Sequence, residues 1–332
     1  MKTWIPSYYT AFRCIAAACP DCCCKEWIVD VDDRTAVFYR DLDSPLGKCL
    51  RQFIKNTSDG TVLDFESGRC PLWREDGLCR IHAELGPDAL CQVCREYPRL
   101  RHDYGNFVEY GLELSCPEAA RLILTQPYTW AAEEEAGQEI PDYDTEMMDI
   151  LLESRKTATD FLDTTALPPN QALAVLLIYA HAVQSWLDGA EPVTLDVASC
   201  VETAREFAGE GDWALLRQFF LNLEILTPHW RARLESSCAP ANWHEGFPLL
   251  AKYFIGRYWL QAVSDYDLIG RVKLLVAACL LIYALGGSFV DTAQLFSKEI
   301  ENDPDNLESI LDGAYTSPAL TDQHLLSLLL NC

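Results

Sequence analysis

Five cysteines crowd into the eleven residues CIAAACPDCCC, from Cys14 to Cys24, and no other feature constrains the fold of this chain so tightly. Adjacent Cα atoms lie about 3.8 Å apart, below the roughly 4.4 Å that a relaxed disulfide needs, so Cys23 and Cys24 must find different partners. Six more thiols follow up to Cys116, and only four of the fifteen lie beyond it. The chain therefore reads as a cysteine-rich region over residues 1–140 and a different region over 141–332.

Three uses of the thiols compete. A disulfide framework suits small secreted scaffolds. This chain has 332 residues, 49% of them hydrophobic, and can bury a core without staples. Its start, MKTWIPSYYTAFRC, has no apolar run of signal-peptide length, so a cytoplasmic location is expected. Structural zinc suits the CxxC pairs Cys19–Cys22 and Cys91–Cys94. The 68 residues between the two pairs exceed the roughly 15–20 of a ribbon-type site. Iron-sulfur ligation needs soft thiolates converging from separate segments. The spread of Cys14, Cys19, Cys22–Cys24, Cys70, Cys79, Cys91, Cys94 and Cys116 meets that need. Cys14-x4-Cys19-x2-Cys22 matches the plant-type triplet and requires a distant fourth ligand, which Cys70 or a later cysteine would supply.

In CRIHAELGPDALCQVCREYPRLRH, Pro87 is expected to open a helix that Pro98 ends, with Cys91 and Cys94 on one face at i and i+3. Arg95, Arg99, Arg101 and His102 follow. Positive charge there would stabilise thiolates or hold a cofactor carboxylate, and it would equally pair with Glu96 and Asp103. WIVDVDD alternates as a short strand, and VFYRDLDSPLGKCLRQFIKN reads as two helices joined at Ser44-Pro45. VLDFESGRCPLW suggests a hairpin turning at Gly68. Pro117 is well placed to start a helix, and AAEEEAGQEIPD reads as an acidic linker.

Beyond Tyr143, apolar residues recur at three- and four-residue steps, and an all-helical region is expected over 141–332. The apolar windows ALAVLLIYAHAV and KLLVAACLLIYAL fall short of the roughly 20 residues that a bilayer span needs and read as core helices, without membrane insertion. YFIGRYWL, with Arg257 inside it, could line a cofactor pocket, although aromatics at helical spacing ordinarily form core. The fold class expected is mainly α: an irregular, cysteine-rich, metal-binding N-terminal domain followed by a helical domain. The formal net charge of −24 argues against nucleic acid as a partner. Residues 1–120 hold 19 acidic and 14 basic side chains and the remainder 31 and 12, so the acid surplus lies mainly in the helical part.

The ordered set FRC-x4-C-x3-CC-KEW, CPLW-x5-GLCRIHAELG, ALCQVCREYPR and LSCPEAARLIL, over roughly residues 8–125, resembles the flagellin lysine N-methylase family, within a wider group of zinc- or iron-chelating proteins. The resemblance implies methyl transfer from S-adenosylmethionine to surface lysines of flagellin, with a 4Fe-4S cluster; zinc is the alternative metal. It implies ligands drawn from Cys14, Cys19, Cys23, Cys24, Cys70, Cys79, Cys91, Cys94 and Cys116, more than the four that one cubane takes. Cys22 departs from the family pattern. Arg95, Arg99 and Arg101 are candidates for cofactor binding, and Tyr8, Tyr9, Tyr97 and Tyr104 for taking a proton. The usual methyltransferase sheet is not expected, because the only G-x-G, Gly209-Glu210-Gly211, has no strand before it. The compact C-x3-C-x2-C of radical chemistry breaks at Glu26. The competing function is a non-catalytic zinc- or iron-binding module that docks proteins.

Overall fold

Where the sequence is richest in cysteine, short strands carry the chain. The computed structural model describes residues 2–21, 23, 29–58, 60–64, 70, 72–134, 141–236 and 242–331. A four-stranded sheet has the order β5-β6-β1-β7, with β1 Lys2–Pro6, β5 Arg99–Asp103, β6 Phe107–Leu112 and β7 Trp130–Glu134. A smaller sheet joins β2 Val29–Asp30, β4 Thr61–Leu63 and β3 Ile54–Asn56. β1 runs parallel to β6 and antiparallel to β7. β5 and β6 form a hairpin whose turn carries Gly105 at φ +76°, a conformation that glycine reaches without a Cβ clash.

Several expectations hold. Val29–Asp30 is a strand, and Asp33–Asp41 and Pro45–Phe53 are the two helices, the second capped by the Ser44 hydroxyl. Pro117 opens a helix over Pro117–Thr125. Two expectations are corrected. The helix sought between Pro87 and Pro98 is instead a 3-10 turn, Pro87–Ala89, then a five-residue helix, Gln92–Glu96, with Cys91 at its N-cap. Extended backbone at Leu90 and Cys91 breaks the run. The expected linker begins as strand: Ala131 to Glu134 pair with β1, an edge position where acidic side chains are tolerated. The hairpin expected at Gly68 lies outside the described residues, as do Cys22, Cys24, Cys238 and Cys332.

From Thr145 onward every described regular element is a helix, and the protein as a whole is mainly α, 62% helical. The acid surplus has a local use. Asp144, Asp196, Asp212, Asp267 and Asp303 each cap a helix N-terminus by accepting backbone N–H bonds that would otherwise go unmade. Leu268–Leu285 is long and apolar enough to cross a membrane by composition, and 89% of it is buried here. It sits among Pro169–Leu187, Phe247–Tyr258, Phe289–Phe296, Pro304–Thr316 and Asp322–Leu330 as the central core helix.

Two cores result. The larger gathers the helices together with Tyr8, Phe12, Leu112, Leu114, Ile123 and Tyr128 from the cysteine-rich region. The smaller contains, among the described residues, eleven buried ones, Cys70 and Cys91 included, with Cys49, Cys79 and Cys94 packed at its margin. An ion pair bolts the sheet to the helix Thr145–Thr164: Arg155 donates to both carboxylate oxygens of Glu109, at 2.5 and 2.8 Å, with the Glu109 side chain only 3% exposed. Arg155→Met, which strands a buried carboxylate, is expected to cost about 3–5 kcal/mol in urea unfolding, and pairing it with Glu109→Leu is expected to recover most of that loss.

Candidate functional site: clustered thiols beside a tyrosine-lined pocket

The fold brings distant cysteines within electrostatic reach of one another. Burial raises the Cys79 thiol, and Cys70 and Cys23 raise it further. Cys91 and Cys94 share a hydrogen bond that holds Cys91 below the ordinary thiol range and, with burial, pushes Cys94 up; Cys23 and Cys79 act on Cys94 as well. Around Cys116, burial lifts the thiol to about 11, with Cys19 and Cys14 adding to it. Cys14, Cys19, Cys49, Cys79, Cys91, Cys94, Cys116, Cys200 and Cys279 are free thiols.

Soft donors drawn from four segments into a small core suit a thiolate-bound metal in kind, since so small a core gains most from a staple. In position they stop short of a site: among the described residues no group of three or more Cys, His, Asp or Glu is arranged to hold a metal ion. Cys49, which the spacing argument passed over, packs against the same core and hydrogen-bonds Arg80.

The candidate arginines are not gathered round one cavity. Arg95 is exposed beside the Leu90 carbonyl, at 3.5 Å. Arg99 lies over the Tyr9 and Phe12 rings at 5.9 and 5.2 Å. Arg101 pairs with Asp103 at 2.7 Å, one of the partners anticipated for this basic run. Strand alternation explains the separation, because Arg99, Arg101 and Asp103 are the exposed positions of β5 and Leu100 and His102 the sheltered ones.

Those sheltered residues help to line a pocket with Tyr8, Glu109, Tyr110, Gly111, Trp130, Tyr253, Gly256 and Arg257. It is small, with room for one or two waters. His102 stands opposite Glu109 in the β5–β6 register. Its Nε2 is buried with no hydrogen-bond partner among the described residues. Burial and then Arg257 press its pKa below the ordinary value, Arg155 adds to this, and Glu109 opposes it. Arg257 donates to the Tyr253 hydroxyl at 2.7 Å, and Tyr253 and Tyr258 donate to Glu301 at 3.0 and 2.8 Å. Glu301 has no exposed side-chain surface. Burial pushes the Tyr8, Tyr253 and Tyr258 hydroxyls well above their usual range, so they stay neutral donors.

Of the tyrosines singled out by sequence, Tyr8 lines this pocket, Tyr9 faces Arg99, Tyr104 stacks on Phe107, and Tyr97 hydrogen-bonds Ser115. The aromatic run around Arg257, for which core was the ordinary expectation, is both core and pocket wall. Thiol loop and pocket meet on the π-helix Ser297–Glu301. Lys298 and Gln294 hold Asp21, inside the CPDC stretch, at 3.0 and 3.2 Å, while Glu301 anchors the tyrosines.

The chain is 36% identical over 136 residues to a lysine-N-methylase of Salmonella typhimurium and, to the same degree, to one of Salmonella choleraesuis, covering 39% of this chain and 34% of each relative. The match thus spans about a third of those enzymes' length. It is also 36% identical over 129 residues to the flagellar biosynthetic protein FliU of Salmonella muenchen, covering 37% of this chain and 76% of that protein. No family profile and no solved structure matches the chain.

Two stability measurements probe the pocket. Gly256 lies within a helix, and a Cβ there would sit 3.7 Å from Trp130. Gly256→Ala is therefore expected to fold and to gain about 0.5–1 kcal/mol in denaturant unfolding while filling the pocket. The second concerns acid. The unfolded chain takes up a proton on His102 near pH 6.5 that the folded chain refuses, so stability should fall as pH drops below about 6.5. His102→Gln is expected to flatten that part of the dependence.

Proposed function

The chain belongs to the flagellin lysine N-methylase family, and from that premise we propose that it methylates lysine side chains exposed on flagellin, with S-adenosylmethionine as the methyl donor. The observation that carries the reading is the likeness to proteins named lysine-N-methylase and FliU, at 36% identity. In the reaction the amine lone pair attacks the sulfonium methyl, the carbon–sulfur bond breaks as the carbon–nitrogen bond forms, S-adenosylhomocysteine leaves, and the amine gives up a proton. What a protein must add is a desolvated, neutral amine held in line, and an acceptor for that proton. The small tyrosine-lined pocket bordered by Arg257 would offer such surroundings.

In this reading four thiols, drawn from Cys23, Cys70, Cys79, Cys91 and Cys94, hold a 4Fe-4S cluster, and Cys14, Cys19, Cys24 and Cys116 complete the family set. Such a cluster would cross-link the segments around the small core. Zinc on the same thiols is the alternative, and a reducing cytoplasm suits either metal. Residues 1–140 form the metal-binding domain of this proposal and 141–332 the helical one, with flagellin as the protein partner. Arg95, Arg99 and Arg101 would serve the cofactor carboxylate only by leaving their present partners.

Anaerobically purified protein, assayed for iron, sulfide and zinc and incubated with flagellin and methyl-labelled S-adenosylmethionine, is expected to carry iron and sulfide and to label lysines. Zinc alone with no label would favour the non-catalytic docking module. Cys91→Ala or Cys94→Ala is expected to strip the metal and lower the folding yield, since a structural metal contributes roughly 10 kcal/mol or more. Retention of metal in both variants would exclude that pair as ligands.

A further inference from the structure

We propose that His102 is a catalytic residue: its Nε2 takes the proton from the substrate amine inside the pocket formed by Tyr8, Glu109, Tyr110, Tyr253 and Arg257. The inference rests on the methyl-transfer reading and names the group that reading leaves open.

Three features of the site converge on this role. The first is an unpaired ring nitrogen. Nε2 is buried without a hydrogen-bond partner among the described residues, a costly state for an imidazole, and with the ring proton on Nδ1 an incoming N–H would relieve it. The second is size. Room for one or two waters matches the tip of a lysine, one nitrogen and its neighbouring methylene, and two glycines, Gly111 and Gly256, keep the wall open. The third is charge. Facing His102 are Glu109 from β6, Arg155 from the helix Thr145–Thr164, Tyr253 and Arg257 from the helix Phe247–Tyr258, and Tyr8, while the Tyr110 side chain lies on the other face with Arg101.

Among the described carboxylates near Arg257, Glu109 is committed to Arg155, Glu301 to Tyr253, Tyr258 and Arg257, and Glu113, which accepts from the Ser115 hydroxyl, is raised by burial. A lysine tip entering beside Arg257 is driven to its neutral form, as methyl transfer requires. The step balances: the amine nitrogen gains the methyl from the sulfonium, its N–H proton passes to Nε2, and the resulting imidazolium returns that proton to solvent. The tyrosine hydroxyls, kept neutral by burial, donate and do not compete for the proton.

The test compares wild type, His102→Gln and Gly256→Ala in single-turnover transfer of labelled methyl to flagellin across pH. Wild type is expected to show a limb that rises with pH from a histidine; His102→Gln is expected to lose that limb and about 10²–10⁴-fold in rate. Gly256→Ala is expected to be inactive while folded. In His102→Ala, added imidazole is expected to restore part of the rate. A wild-type protein that transfers no methyl defeats the functional reading itself. A wild type that transfers methyl, with His102→Gln at full rate across pH, overturns this inference and leaves that reading standing. If substitution at 102 impairs folding, the decision passes to the wild-type imidazole nitrogens observed by NMR with n-butylamine as the lysine mimic: a shift at His102 Nε2 supports the role, and an unmoved signal overturns it.

Discussion

The arrangement depends on charge buried where the four-stranded sheet meets the helices. Glu109 is held by both arms of Arg155, and Glu301 by two tyrosine hydroxyls with Arg257 at 3.5 Å. A buried carboxylate is tolerable only when its lone pairs are filled, so each of these groups fixes the rotamer of its partners. The walls of the pocket are consequently stiff. An apolar seam of the same volume would be about as stable and would leave the tyrosines free to turn.

That stiffness explains why His102 stands apart. Around it Glu109, Tyr253, Arg257 and Glu301 are paired, whereas its Nε2 is buried without a partner among the described residues. The neighbouring cysteine region has the opposite character. Its small core carries thiols where a larger domain would carry leucines, and their mutual influence shows in the raised Cys79 and Cys94. One region is ordered by satisfied charge, the other by a set of soft donors.

Much of the helical part was legible because burial leaves a three- to four-residue rhythm and aspartates mark the N-termini. The β5–β6 hairpin was missed although RLRHD alternates and YGN carries a turn signal, because the proline before it was read only as a helix stop. β1 and β7 could not be read locally, since each exists by pairing with a strand distant in the chain. The pocket was half legible. Tyr8 and Arg257 were singled out, but the partnership of His102 with Glu109 depends on strand register, and that of Arg257 with Glu301 on helix packing. Neither leaves a spacing in the sequence. The basic run misled for a related reason: alternation along β5 sends its arginines to one face and its histidine to the other.

The π-helix Ser297–Glu301 has a further implication. Lys298 grips the thiol loop through Asp21, and Glu301, three residues on, braces the pocket. In a wider turn the angle between successive side chains is smaller than in an α-helix, so reversion to α geometry would rotate one contact away from its partner. The segment works as a spacer of fixed pitch: the extra residue in the turn lets one short stretch of chain clasp both halves of the molecule at once.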